Sequence, residues 1–151
     1  MKLKQGAILW INLDPAKGTE TKKKRPCLVV SNDHYNRYFN TVLVVPISTS
    51  DKYRTLEKYV KSPLFIKIDK GEIHGTALLQ HVRAVDPTKR SDGEVVANLS
   101  QQEISSISTN VQQFFLKNRC YLLIKAKKIA PNIYIIDIGG YFNNVFEGLF
   151  C

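Results

Sequence analysis

The chain has 151 residues, 44% of them apolar and 23% charged, which excludes a disordered or fibrous protein and suits one domain with a small appendage. Its formal net charge of +9 points to a polyanionic partner, nucleic acid or an acidic protein, against the plainer reading of a basic surface kept for solubility. No apolar run approaches the ~18 residues that span a bilayer, and three cysteines without metal or disulfide spacing (Cys27, Cys120, Cys151) indicate a reducing, cytoplasmic setting.

The N-terminal MKLKQGAILWINLDP lacks the apolar core and cleavage site expected of a secretory leader. Ala7 to Leu13 is a β-prone run closed by Asp14-Pro15. A polar loop from Lys17 contains Gly18 and gathers Lys22, Lys23, Lys24 and Arg25 before Pro26 opens the apolar run CLVV. Cys27 to Ser31 is therefore read as a buried strand, with Cys27 a small buried hydrophobe. An arginine at the mouth of such a strand has its backbone held by the core. Its guanidinium is then aimed, while the loop before it stays free to close over an anionic ligand.

Asn32 to Asn40 is rich in turn and cap residues and predicts a turn or a single helical turn, with Asn32 and Asn36 as cap or turn residues and RNA contact the lesser reading. Thr41 to Ile47 predicts a central strand in which Pro46, unable to donate to a ladder, marks an end, bulge or edge. Ser48 to Ser62 reads as a long polar loop. PLFIKID then alternates as a half-buried strand, and Lys70-Gly71 is a turn. Thr76 to Gln80, Val82 to Val85 and Gly93 to Leu99 are further strand candidates.

Ser100 and Glu103 form the S-x-x-E signature of a capping box. Behind it Ile104, Ile107, Val111, Phe114 and Phe115 make one apolar stripe, predicting a helix near Gln101 to Lys117. Short strands followed by an amphipathic helix suggest a small, strongly bent sheet or barrel with the helix packed on it. The β-α-β rhythm of a dinucleotide fold is missing. Residues 118–151 stand apart, with strand-like runs YLLIKAKKI and IYIIDI and turn signals at Gly139-Gly140 and Asn143-Asn144. They suit an accessory hairpin, a dimer or partner contact, or an extension of little evolved purpose.

Four segments, GAILWINLDPAKGTE, KRPCLVVSN, TVLVVPISTS and LLQHVRAVDPTKR, occur in an order and spacing that resembles the MazF/PemK (Kid) toxins of bacterial toxin–antitoxin pairs. The resemblance covers about Leu3 to Phe115. It implies that residues 1–117 form a mainly β toxin domain with some helix, an SH3-like small barrel of MazF/CcdB type, with 118–151 as an extension. It further implies a homodimer that cleaves single-stranded RNA at short sequences, with neither metal nor cofactor. By the same resemblance Arg25 and Ser48 are the catalytic positions, the second more often threonine in the family. Gly18, Thr19, Glu20, Lys22, Lys23, Lys24, Thr49, Gln80, His81 and Arg83 are the expected substrate-binding residues. The family usually carries an acidic residue and glutamine where this chain has Gln80 and His81.

The chemistry fits those residue types. Metal-free cleavage uses the RNA's own 2′-hydroxyl as nucleophile, leaving a 2′,3′-cyclic phosphate and a 5′-hydroxyl. A positioned guanidinium stabilises the developing phosphorane charge, and a serine hydroxyl donates to the same oxygens or to the leaving oxygen. Neither is a good base at neutral pH. His81 is thus a candidate acid, base or base-contacting residue, or else a polar residue on a strand edge. Trp10, Tyr35, Tyr38 and Phe39 either stack on bases or pack in a core or dimer. The rival readings are a CcdB-like toxin that binds gyrase without chemistry and a basic barrel that only binds single strands. The expected partners are single-stranded RNA and an acidic antitoxin, not DNA directly and not a membrane.

Overall fold

The structure is a computed structural model that describes residues 2–115. Within them an antiparallel sheet is built from β1 (Ala7–Asn12), β2 (Lys24–Val29), β3 (Val42–Ser48), β4 (Phe65–Lys70), β5 (Ile73–Leu78), β6 (Arg83–Val85) and β7 (Val95–Asn98). The strands lie in the order β4-β5-β3-β2-β1-β7, with β6 beside β3. Short helices α1 (Asp33–Tyr38), α2 (Lys52–Thr55), α3 (Glu57–Val60) and α4 (Pro87–Arg90) sit in the connections, and α5 (Gln101–Gln112) follows the last strand. The sheet curls into a half-barrel, so the expectation of a small bent barrel with helices is met.

The period of two in the strands sorts the apolar residues into two cores. Leu9, Ile11, Cys27, Val29, Val42 and Val44 share one face with Leu3, Leu13 and Val85. Ile8, Leu28, Val45, Ile47 and Ala77 share the other with Leu79 and with Ile107 of α5. Each fully buried aliphatic side chain contributes about 1.5–3 kcal/mol. Helix α5 docks because Gly6, at φ +87°, leaves room for it: a Cβ there would meet Ile104 Cδ1 at 2.5 Å.

Strand β3 is the hub. One edge pairs with β2, at Cys27↔Pro46, Leu28↔Val45 and Val29↔Val44. The other edge is divided, with Val42 to Val44 on β6 and Ile47 and Ser48 on β5. Pro46 falls in the gap between them, where its missing N–H leaves no donor unsatisfied. Pro46 is thus neither the strand's end nor a bulge; it marks the point where β3 changes partners.

Other elements differ from their sequence reading. Strand β2 begins at Lys24 rather than Cys27, because the β1–β2 ladder continues through Trp10↔Pro26 to Asn12↔Lys24. At that point β2 has a partner on one side only, which makes proline tolerable. The segment 48–62 contains α2 and α3 instead of a long loop, each a single turn backed by an ion pair, Asp51–Arg54 and Glu57–Lys61. Strand β5 starts at Ile73, and Gln80 and His81 lie on a 3₁₀ turn (Leu79–His81) rather than on a strand. The capping box is present, but α5 ends at Gln112, and Phe114 and Phe115 are exposed rather than part of the stripe. Thr109 turns its hydroxyl back onto the Ser105 carbonyl at 2.9 Å, a contact that weakens a serine-rich helix. The reading of residues 118–151 and the domain end at 117 lie outside the described residues.

Candidate active site

The site is set by the β2–β3 register. Its last ladder pair is Cys27↔Pro46, and continuing it by two residues puts Arg25 opposite Ser48. Residues opposite one another in an antiparallel pair project from the same face. Past Cys27 and Pro46 the two strands no longer pair, which leaves Arg25 and Ser48 on the strand ends that flank this break, a notch at the end of the ladder.

Ser48 is buried, and its Oγ accepts from the Ser50 N–H at 3.3 Å. On its other side Ser48 pairs with Thr76, also buried. Beside Thr76, Gly75 has no room for a side chain: a Cβ would lie 2.7 Å from the Ser48 carbonyl oxygen. Arg25 is half-buried. Its Nε donates to the Lys22 carbonyl at 2.9 Å, which fixes the plane of the guanidinium. Among the described residues the two terminal nitrogens of the fork have no protein acceptor, leaving them for an anion.

The basic loop is fastened at its root. Leu13 N–H donates to the Lys23 carbonyl at 3.2 Å, and Lys23 takes the left-handed conformation at φ +70°. Such a backbone costs on the order of 1–3 kcal/mol in a residue with a side chain and persists only where its surroundings enforce it. Arg83 Nη1 donates to the Leu13 carbonyl at 3.4 Å, and Arg90 Nη1 to the carbonyls of Asn12 and Asp14 at 3.0 and 2.7 Å. Lys24 is held by Asp92 at 3.4 Å. Gly18, Thr19, Glu20, Lys22 and Lys23 are exposed; Gly18 adopts φ +56°, and Glu20 accepts the Lys17 N–H at 3.1 Å within the loop.

Arg83 pairs with Val44, which puts it on the sheet face of Arg25 and Ser48. Both arginines lie near Cys27: burial pushes its thiol up to about 12, and the Arg83 and Arg25 charges only partly oppose that. The thiol is protonated and inert, as read for a small buried hydrophobe. The turn bearing Gln80 and His81 fills the gap beside Pro46, between the β6 and β5 pairings of β3. His81 is half-buried, and burial lowers its pKa, so the imidazole is neutral at pH 7 and able to accept a proton. Gln80 and Thr49 are exposed. Asn32 caps α1 through the Tyr35 N–H, and Asn36 is buried on the Leu3 and Ser31 carbonyls, so both are structural.

Arg90, Gly75 and Thr76 were not singled out from the sequence. Arg90 closes a short run with Asp86-Pro87, a capping signature that announces α4 but not its target. Gly75 stood one place before the strand expected from Thr76, so the signal of a close backbone approach that a strand glycine carries was not read.

These features define a class: a small antiparallel half-barrel that carries a basic loop beside a buried hydroxyl. Residues 4–115 match the family described as PemK-like, MazF-like toxin of type II toxin-antitoxin system, and the chain belongs to that family. Endoribonuclease EndoA of Bacillus subtilis is 30% identical over 96 residues, 61% of this chain and 78% of the relative. A crystal structure of MazF from Deinococcus radiodurans superposes with a TM-score of 0.63 at 21% identity, covering 76% of this chain and 97% of that one. A MazE–MazF structure from the same organism gives 0.59 at 20% identity, with the same coverage. At these identities the likeness to the solved structures is one of fold.

Proposed function

We propose that this chain is the toxin of a type II toxin–antitoxin pair and acts as an endoribonuclease on single-stranded RNA. The observation that supports the reading is the β2–β3 register, whose continuation by two residues beyond Cys27↔Pro46 brings Arg25 and Ser48 to one face at the end of the ladder, next to the basic loop. A phosphodiester entering the notch meets the open fork of Arg25 and the Ser48 hydroxyl together. The 2′-hydroxyl of the RNA attacks the adjacent phosphorus, the 5′-oxygen leaves, and the products are a 2′,3′-cyclic phosphate and a 5′-hydroxyl. Arg25 neutralises the charge that grows on the phosphorane oxygens, a role no residue of a purely gyrase-binding toxin has to fill. His81, neutral at pH 7, is the candidate to take the 2′-proton. Lys22, Lys23 and Lys24 draw in the backbone, Arg83 adds charge at the loop root, and Gly18, Thr19, Glu20, Thr49 and Gln80 line the approach. Cleavage proceeds without a metal or cofactor, since the cation is supplied by the chain.

The cognate antitoxin is an acidic protein whose carboxylates cover the basic loop and exclude RNA. The toxin works as a homodimer in the cytoplasm, in keeping with cysteines that lack disulfide spacing. The test is cleavage of a long labelled RNA by purified protein in EDTA, with the 5′ ends mapped. Discrete cuts at one short sequence are expected, and Arg25→Ala lowers their rate at least ~10³-fold with the fold unchanged. Cutting by Arg25→Ala at the rate of the unaltered protein removes Arg25 from the mechanism.

A further inference from the structure

Three aromatic rings gather at the segment between Ser48 and β4. Tyr53 of α2 stacks on Phe65 of β4, with centroids 5.5 Å apart and planes at 19°. Tyr59 of α3 meets both, at 5.0 Å from Tyr53 and 4.7 Å from Phe65. All three are only half-buried. Lys52 Nζ lies 4.8 Å from the Tyr53 centroid and Lys58 Nζ 4.8 Å from the Tyr59 centroid. The acidic side chains of the two helices, Asp51 and Glu57, are engaged by Arg54 and Lys61, which leaves the Lys52 and Lys58 charges uncompensated among the described residues.

The register fixes where this cluster stands. Ser48 pairs with Thr76, Thr76 with Lys67, and Phe65 follows two residues along β4, paired with Leu78. Ser48, Thr76, Lys67 and Phe65 therefore project from one face of the sheet. Strand spacing of ~4.8 Å and a rise of ~3.3 Å per residue put Phe65 roughly 12 Å from Ser48. That is a span of about two nucleotides in an extended single strand, with the exposed Lys67 between the two points.

We propose that Tyr53, Tyr59 and Phe65 form a platform that stacks an unpaired RNA base about two nucleotides from the scissile phosphate. Lys52 and Lys58, lifted from the ring faces as the base arrives, move onto its flanking phosphates. The mixture of π faces and uncompensated lysines is the chemistry of single-strand binding, tolerant of which base is stacked. The platform thus adds affinity for the flank of the cleavage site rather than base selection at the cut. This inference rests on the RNA-cleaving reading of the same sheet face.

The experiment compares oligoribonucleotides that carry the mapped cleavage sequence, extended by three nucleotides on one side, on the other, or on both. Each extension is also made with a single abasic residue two nucleotides from the cut. For the unaltered chain, extension on one side is expected to raise kcat/KM roughly 5- to 100-fold, mainly through KM, with the abasic residue cancelling the gain. Tyr59→Leu and Tyr53→Leu, which keep apolar volume but lose the π face, are expected to cut the minimal oligonucleotide as before and lose the gain. Lys52→Ala with Lys58→Ala, which leaves the rings intact, is expected to reduce it and flatten its salt dependence. An extension effect that survives both leucine variants, or none with the unaltered chain, overturns the platform; a surface reserved for a protein partner gives the second result. No cleavage of any oligonucleotide by the unaltered chain overturns the nuclease reading instead.

Discussion

At the scale of single residues, what matters is how few groups touch the notch. Ser48 is buried, and that restrains a hydroxyl lacking the second γ-substituent by which a threonine would fix it. Ser48→Ala is expected to lower the cleavage rate roughly 10²-fold by removing one donor to the phosphorane, while Ser48→Thr retains activity. An inactive threonine variant in the same RNA assay contradicts the role given to Ser48. The basic loop ending on Arg25 before a buried strand was legible as residue types, whereas Ser48 was singled out only through the family resemblance. Their placement at one end of the ladder was not legible, since it depends on a register between strands separated by α1.

At the scale of elements, the basic loop is held by α4. Asp86 caps that helix through the Thr88 N–H, Pro87 opens it, and Arg90 in its last turn is thereby aimed at the carbonyls of Asn12 and Asp14. Arg90 acts through the loop and is a positioning residue. Arg90→Ala is expected to cost about 1 kcal/mol of stability, discounted for exposure, and to lower kcat roughly tenfold by loosening the loop root. Arg90→Lys, which keeps a cation able to reach both carbonyls, is expected to restore most of the rate. Wild-type rates for Arg90→Ala, measured with its melting temperature, show that the loop holds itself. Sequence reading located the strands within a few residues because their apolar runs are short and well punctuated. It missed α2 and α3, whose turns are set by the packing of Tyr53 and Tyr59 on Phe65 rather than by helix propensity over four residues.

At the scale of the whole molecule, α5, packed on the sheet through Ile104 and Ile107, is joined to it by a carboxylate as well. Glu103 accepts from the Ser100 Oγ and N–H at 2.7 and 2.8 Å and meets Lys70 of β4 at 3.1 Å. The Ser100 hydroxyl and then its N–H hold the carboxyl down at about 2, against an ordinary 4.5, with Lys70 adding less. A folded-state value below the unfolded one gives stability that is complete above pH 4.5 and lost as the pH falls towards 2. Thermal melts followed by circular dichroism are expected to show that loss in the unaltered chain. Glu103→Gln is expected to melt lower at pH 7 and to fall less on acidification; an identical acid profile removes Glu103 from the coupling between helix and sheet.

The chain by itself determined the alternation that splits the apolar residues between two cores, the capping box of α5, and the basic loop that ends on Arg25 before a buried strand. These are local, written in residue type and spacing within a dozen positions. Only the tertiary structure decided that β3 changes partners at Pro46, that Arg25 and Ser48 lie on the two strand ends just beyond the last β2–β3 pair, and that Phe65 falls on the sheet face of Ser48. The reason is that antiparallel register links distant segments one residue to one residue, and a shift of a single place would turn each of those side chains to the opposite face.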